Sequence, residues 1–337
     1  MLRRLTSLAL VLLVLAARAA SCATPQAAAP AIDPSTTLLV IAPHPDDETL
    51  CCAGVIQRVL QAGGRASVVW LTSGDGSAMG MLLVEKTLFD AGKMRAFGAR
   101  RMREARAAAD LLGVPPAGQL FLGYPDGGML ALLGANRDLA YTSRYTGAAA
   151  VPYPDALFPG HPFTGTGLAQ DLAAVIERVH PNLILAPSPL DEHDDHRAAG
   201  LLTAALSERA ASPLIVRYWV VHGGAGWPSP RGLLLGVPLT PSPRGAGLAP
   251  LPFVLEPAEE DRKLAAVRAY ETQMQVMAPF LLSFVRSTEL FSVRATVGAA
   301  PLASPRGGAS CRAGDRGARR CSRAGDPAGR AAPSGGG

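Results

Sequence analysis

The run Thr37-Leu38-Leu39-Val40-Ile41-Ala42 has no polar face. A strand of this kind must be buried on both sides, and a parallel sheet covered by helices on both faces provides that burial. Ala66 to Leu71, Gln119 to Leu122, Leu183 to Ala186 and Ile215 to Val221 read as further strands. Helical patterns fill the intervals: Glu48 to Gln61, Arg95 to Leu112, Gly167 to Val179 and His196 to Ala210, with Pro257 to Ala278 after the last strand. Gly63-Gly64, Gly113 and Pro181 stop the first three of them.

Strands and helices in this order specify an α/β fold. We expect a Rossmann-like three-layer sandwich with a mostly parallel sheet and an active site at the carboxyl ends of the strands. Pro125 to Thr166 is rich in Gly, Pro and Tyr and too long for an ordinary connector, so it reads as a functional loop over a site. Residues 223–256 form a second Pro/Gly-rich excursion.

The ends differ from this body. Arg3 and Arg4 precede an apolar stretch from Leu8 to Ala17, and small residues follow. Residues 1–23 read as a secretory signal peptide, since the apolar stretch is too short to span a bilayer. The expected location is therefore exported, periplasmic or extracellular. Cys22 follows Ala19-Ala20-Ser21 and resembles a lipoprotein acceptor without the usual Leu, so lipid anchoring at Cys22 stays open beside free secretion. No later segment is apolar enough to suggest a membrane span. Residues 24–35 are a Pro/Ala linker, and 36–296 form the folded domain. Residues 297–337 lack apolar periodicity and are expected to be a disordered Gly/Ala/Arg-rich tail. Cys311 and Cys321 lie in it, either bridged to each other or free.

The net charge of +5 comes from these ends: +3 in residues 1–30 and +5 in 297–337, leaving −3 for the body. A nucleic-acid binder concentrates positive charge on its folded domain, so no nucleic-acid partner is expected. A chain ending near Arg294 should keep its melting temperature and its activity. A fall of several degrees on truncation would show that the tail docks.

Chemistry concentrates in two short segments. Pro43-His44-Pro45-Asp46-Asp47-Glu48 follows the first strand, and Asp191-Glu192-His193-Asp194-Asp195-His196 follows the strand Leu183 to Ala186. Parallel sheets build their sites at these strand ends. The imidazoles and carboxylates offer the N and O ligands of a divalent metal such as Zn²⁺. Of adjacent Asp46 and Asp47, one can ligate while the other stays free as a base. Acidic residues near a helix start often only cap it. Three of the six histidines falling in these two segments with so many acids outweighs that reading.

The two segments resemble those of the PIG-L/LmbE-like metal-dependent de-N-acetylases, with Pro43 where the family usually has Ala. Arg101-x-x-Glu104, Thr72-Ser73-Gly74-Asp75, Tyr124-Pro125-Asp126-Gly127, Val220-Val221-His222-Gly223 and Lys263-x6-Tyr270-x2-Gln273 resemble further family segments, so that the likeness spans about residues 37–294. It implies that His44, Asp47 and His196 hold zinc or another divalent ion, and that Asp46 is the general base. Protonated His193 would stabilise the oxyanion and protonate the leaving amine, and Asp195 would orient a histidine. Arg101 and Asp126 would contact sugar hydroxyls. His222 ends a strand and either lines the pocket or is a satisfied strand-end histidine. Asp126 and Arg101 have plainer readings as a turn aspartate and a helix-surface residue paired with Glu104. Cys51 and Cys52 read as small buried residues ahead of metal ligands or a strained vicinal disulfide, and Trp227 as a loop anchor or a sugar-stacking ring.

The implied substrate is a small molecule or glycan bearing N-acetyl groups, of the N-acetylglucosamine type. Export favours a cell-envelope or external glycan over the cytoplasmic intermediates of the family's small-thiol biosynthetic members. A metal-dependent amidase or esterase on another acyl substrate, and a secreted carbohydrate-binding protein on a decayed hydrolase fold, are the alternatives.

Overall fold

A computed structural model describes residues 31–84, 90–210 and 214–293. The expectations for 1–23, most of 24–35 and 297–337, with Cys22, Cys311 and Cys321, lie outside those residues.

The expected parallel sheet is present. β1 (Thr37–Ala42), β2 (Arg65–Thr72), β3 (Gln119–Tyr124), β4 (Leu183–Pro187) and β5 (Ile215–Trp219) pair in the order β3-β2-β1-β4-β5. Every pairing in it is parallel. Every residue of β1 is buried, as its composition demands. On one face pack α1 (Asp47–Gln61), α3 (Ala91–Leu112) and α7 (Pro257–Ala269). On the other pack α4 (Met129–Leu133), α5 (Gly165–Val179) and α6 (Asp194–Ser207). The chain leaves β1 toward one face and β4 toward the other, so the crevice at their carboxyl ends is the topological switch point where such sheets bind ligands.

Several element ends differ from the sequence reading for local reasons. α3 starts at Ala91 because the Asp90 side chain caps it by accepting from the Lys93 N–H at 2.9 Å. β5 stops at Trp219 because the Val221 and His222 N–H groups turn to Asp191 Oδ2 instead of a strand. The helix expected over Pro257 to Ala278 is two helices, α7 and α8 (Glu271–Leu282), broken at Tyr270 with ψ 65°. The Tyr270 hydroxyl is drawn inward to Glu48. α8 continues past Ala278, with a distortion at Met277 before Pro279, where the proline ring disfavours helical geometry. The sequence reading missed α2 (Ala78–Val84) and the antiparallel pair of β6 (Leu251–Val254) and β7 (Thr288–Phe291).

The core is apolar and aromatic, with Trp70 stacked on Phe121 at 4.4 Å. Trp227 is buried and its Nε1–H donates to Thr240 O at 3.0 Å, so it anchors its loop, away from the cavity at the carboxyl edge of the sheet. Cys51 and Cys52 are buried as expected, and they are joined to each other, the less favoured of the sequence readings.

One buried ion pair secures α1. Lys263 Nζ lies 2.8 Å from Glu289 Oε1 and donates to Leu50 O, while Glu289 also accepts from the Gly54 and Val55 N–H groups. Glu289→Ala leaves a buried ammonium without its partner, and removing one member of such a pair costs about 3–5 kcal/mol. Urea unfolding should show that loss. A change below about 1 kcal/mol would mean that the pair contributes little to holding α1.

Candidate metal centre and active site

β1 ends at Ala42, and the next six residues form the first wall of the crevice. The turn is tied to the neighbouring strand, since Thr72 donates both its N–H and its hydroxyl to Pro43 O. The Asp47 carboxylate folds back and accepts from the His44 N–H at 2.8 Å. The second wall follows β4. Asp191 Oδ1 accepts from the His193 N–H, Asp191 Oδ2 accepts from Val221 and His222, and α6 begins under His193, which places His196 one turn in.

The two walls meet at three atoms. His44 Nδ1 is 3.3 Å from Asp47 Oδ2, His196 Nε2 is 3.2 Å from the same oxygen, and the two ring nitrogens are 3.3 Å apart. Three ligands at 2.0–2.1 Å around a tetrahedral zinc stand about 3.3–3.4 Å from one another. The triangle of donors therefore has the size of one face of such a site, and its chemistry fits a divalent ion.

The outer nitrogens of both histidines are held by acids. His44 Nε2 lies 3.2 Å from Asp195 Oδ2 and 3.3 Å from Asp126 Oδ1, which turns Nδ1 toward the triangle. His196 Nδ1 lies 3.3 Å from Asp191 Oδ2, a charge contact rather than an aligned hydrogen bond. Outer carboxylates of this kind set the orientation of ligating imidazoles. Asp195 also accepts from the Gly127 and Met129 N–H groups and so anchors the start of the long loop.

The electrostatics call for a cation. Burial disfavours charged imidazole at both histidines, yet the carboxylates outweigh it. Asp47 and Asp191 push His196 up to about 10, and Asp126, Asp195 and Asp47 raise His44 well above the usual range. Burial also opposes the charge on Asp47, but His196 and His44 hold its carboxyl well below its ordinary value. His193 and His222 go the other way. Burial, reinforced by their histidine neighbours, lowers His193 to about 4 and His222 to about 3. His193 is therefore neutral at neutral pH, which departs from the protonated role expected of it. Its Nδ1 accepts from the Asp195 N–H at 3.2 Å, so the ring proton sits on Nε2.

Asp46 stands outside the triangle. Its carboxylate accepts from Arg101 Nη2 at 3.2 Å, and its pKa is pushed up to about 7, first by burial, against the pull of Arg101 and with a further push from Asp47. Arg101 is buried and passes beneath the turn, donating to Pro45 O at 2.7 Å and Gly74 O at 2.9 Å. It does not pair with Glu104, which meets Arg100 and Thr272 instead. Gly74, at φ 69°, is required there, because a Cβ would come within 2.0 Å of Arg101 Nη1.

These groups open into a cavity of about 230 Å³. Asp46, Arg101, Asp126 and His193 line its polar side, and Met277, Phe280 and Leu281 of α8 its apolar side. His222 also lines it, stacked on Phe280 at 5.8 Å. The nine expected site residues thus converge on one crevice. Sequence reading gave no part to Asp191 or Glu48, nor to Asp126 as a neighbour of His44. Only the acid-rich composition of both segments hinted at the first two.

Fold and site together define an α/β protein with a carboxylate–imidazole cluster able to hold a metal ion at the carboxyl edge of its parallel sheet. The chain belongs to the PIG-L family: the model described as GlcNAc-PI de-N-acetylase matches residues 39–207. With relatives that are named deacetylases, the chain is a hydrolase acting on amide bonds. Two curated relatives, from Kribbella flavida and Mycobacteroides abscessus, are both named 1D-myo-inositol 2-acetamido-2-deoxy-alpha-D-glucopyranoside deacetylase. The first is 27% identical over 291 residues, covering 77% of this chain and 90% of the relative. The second is 29% identical over 259 residues, covering 71% and 82%. Among solved structures, a conserved protein from Thermus thermophilus aligns with 80% of this chain and 99% of its own, at TM-score 0.48 and 22% identity. N,N'-diacetylchitobiose deacetylase from Pyrococcus horikoshii aligns with 76% and 83%, at TM-score 0.49 and 18% identity.

Proposed function

We propose that the protein is a zinc-dependent hydrolase that removes the acetyl group from an N-acetylamino sugar, with Asp46 as general base. The observation that carries this reading is the donor triangle of His44 Nδ1, Asp47 Oδ2 and His196 Nε2, with the Asp46 carboxylate beside it and free of it. The names of the curated relatives, both deacetylases of an acetamido-deoxy-glucopyranoside, support the substrate class.

When bound, the metal lowers the pKa of water and polarises the amide carbonyl. Asp46 takes the proton of the attacking water, and a carboxyl near 7 is matched to that transfer at neutral pH. The neutral His193 donates its Nε2–H to the developing oxyanion. Asp46 then returns the proton to the departing nitrogen, giving acetate and a primary amine. Asp195 and Asp126 keep His44 in orientation, and Asp191 does so for His196. Asp126 and His222 line the cavity where the sugar hydroxyls would lie, while Arg101 holds the turn that carries Asp46.

The cavity is smaller than the roughly 300–1,000 Å³ of drug-sized ligand pockets, which favours a single terminal sugar. With residues 1–23 as a secretory signal, that sugar belongs to an envelope or external glycan. An acetate-release screen over N-acetylated monosaccharides and short oligomers, with and without chelator, tests the reading. Release of acetate with a new primary amine, abolished by chelator and restored by zinc, is expected. Acyl release without an amine product would indicate an esterase. Purified protein that carries no metal and releases nothing would indicate a binding protein.

A further inference from the structure

Glu48, the last acid of the first segment, is fully buried beneath the active-site turn. A carboxylate in that position is costly unless its oxygens are satisfied, and neutral donors surround it. Trp70 Nε1–H donates to Oε2 at 2.8 Å, and the Thr49 and Tyr270 hydroxyls donate to Oε1. The fourth donor is the backbone N–H of Asp46, which reaches Oε2 at 3.3 Å.

Asp46 has φ 116° and ψ −32°, a conformation that L residues rarely adopt. Such a backbone persists only where its surroundings over-determine it, and it concentrates where geometry serves function. At Asp46 the surroundings are Arg101, which holds the carboxylate and the preceding carbonyl, and Glu48, which holds the amide. Tyr270 stands at the break between α7 and α8, and α8 carries the apolar wall of the cavity. Glu48 thus joins the turn that carries the base to the element that faces the substrate.

We propose that Glu48 is a positioning residue for proton transfer, fixing the left-handed backbone of Asp46 so that its carboxylate faces the attacking water. This rests on the reading of Asp46 as the base. Glu48→Asp keeps the charge but withdraws the acceptor by one methylene. It should lower kcat at least tenfold, with KM within about threefold and metal content unchanged. Glu48→Ala should do the same where it folds. Glu48→Gln should recover kcat to within about threefold of wild type, because the amide oxygen still accepts from Asp46 and Trp70 while its NH₂ donates to the Tyr270 and Thr49 oxygens. A residue that only stabilises the core would shift KM, metal content and the active fraction together, and that outcome overturns the proposal. So does a kcat within twofold of wild type in Glu48→Asp when Asp46→Asn is impaired, or a Glu48→Gln as slow as Glu48→Asp. If Asp46→Asn is itself unimpaired, the base assignment falls first and the positioning role with it.

Discussion

Asp46→Asn should lower the turnover number by about 10²–10⁴-fold, the range a positioned general base contributes, while bound metal and KM stay near wild type. The substitution keeps the shape of the side chain. Asn also tolerates the left-handed backbone that Asp46 adopts at φ 116°, so the turn should keep its form. What is lost is a proton acceptor whose pKa burial has brought to about 7. The metal donors are untouched, because the Asp46 carboxylate meets Arg101 and not the His44–Asp47–His196 triangle. Loss from kcat with no change in KM marks an interaction made in the transition state alone. If Asp46 merely capped α1, Asn would serve almost as well. Its side chain makes no capping hydrogen bond to α1 in any case. Activity within about threefold of wild type, with metal retained, would remove Asp46 as the base and direct attention to His193.

The parts of this site that could be read from the sequence are those decided by residue type and strand-end position. β1 and β4 are apolar enough to be buried strands, and in a parallel sheet whatever follows them stands at the same edge. That much brings His44, Asp46 and Asp47 toward His193 and His196. The alternation of strands and helices does not by itself say that β1 and β4 are neighbours, nor that the chain changes face between them. The outer carboxylates were harder. Asp191 acts on amides 30 and 31 positions away, and Glu48 receives a hydroxyl from 222 positions away. No local pattern encodes such pairings. Arg101 misled for a related reason. Three residues before Glu104 on a helix, it reads as half of a surface pair, yet it is buried and serves the turn. The protonation of His193 also depends on tertiary surroundings, since burial and two adjacent histidines decide it.

His196→Ala should reduce bound metal well below one equivalent per chain and bring acetate release to background, a larger loss than Asp46→Asn. His44→Ala and Asp47→Ala should behave alike, because each removes one corner of a triangle whose sides are 3.2–3.3 Å. His196 is the most telling of the three. It is fully buried, between Asp47 on one nitrogen and Asp191 on the other, so its removal leaves two buried carboxylates facing each other across an empty ring site. Stability provides a second readout. A ligand present at 100 times its dissociation constant stabilises the folded state by about 2.7 kcal/mol. Chelator should therefore lower the melting temperature of the wild-type protein and of Asp46→Asn, which keeps the donors. It should leave His196→Ala unmoved, since that variant has little metal to lose. Elemental analysis showing full occupancy in all three alanine variants would refute the ligand assignment. The next donors to test would then be His193 and His222, whose ring nitrogens lie within 4.8 Å of the same cluster.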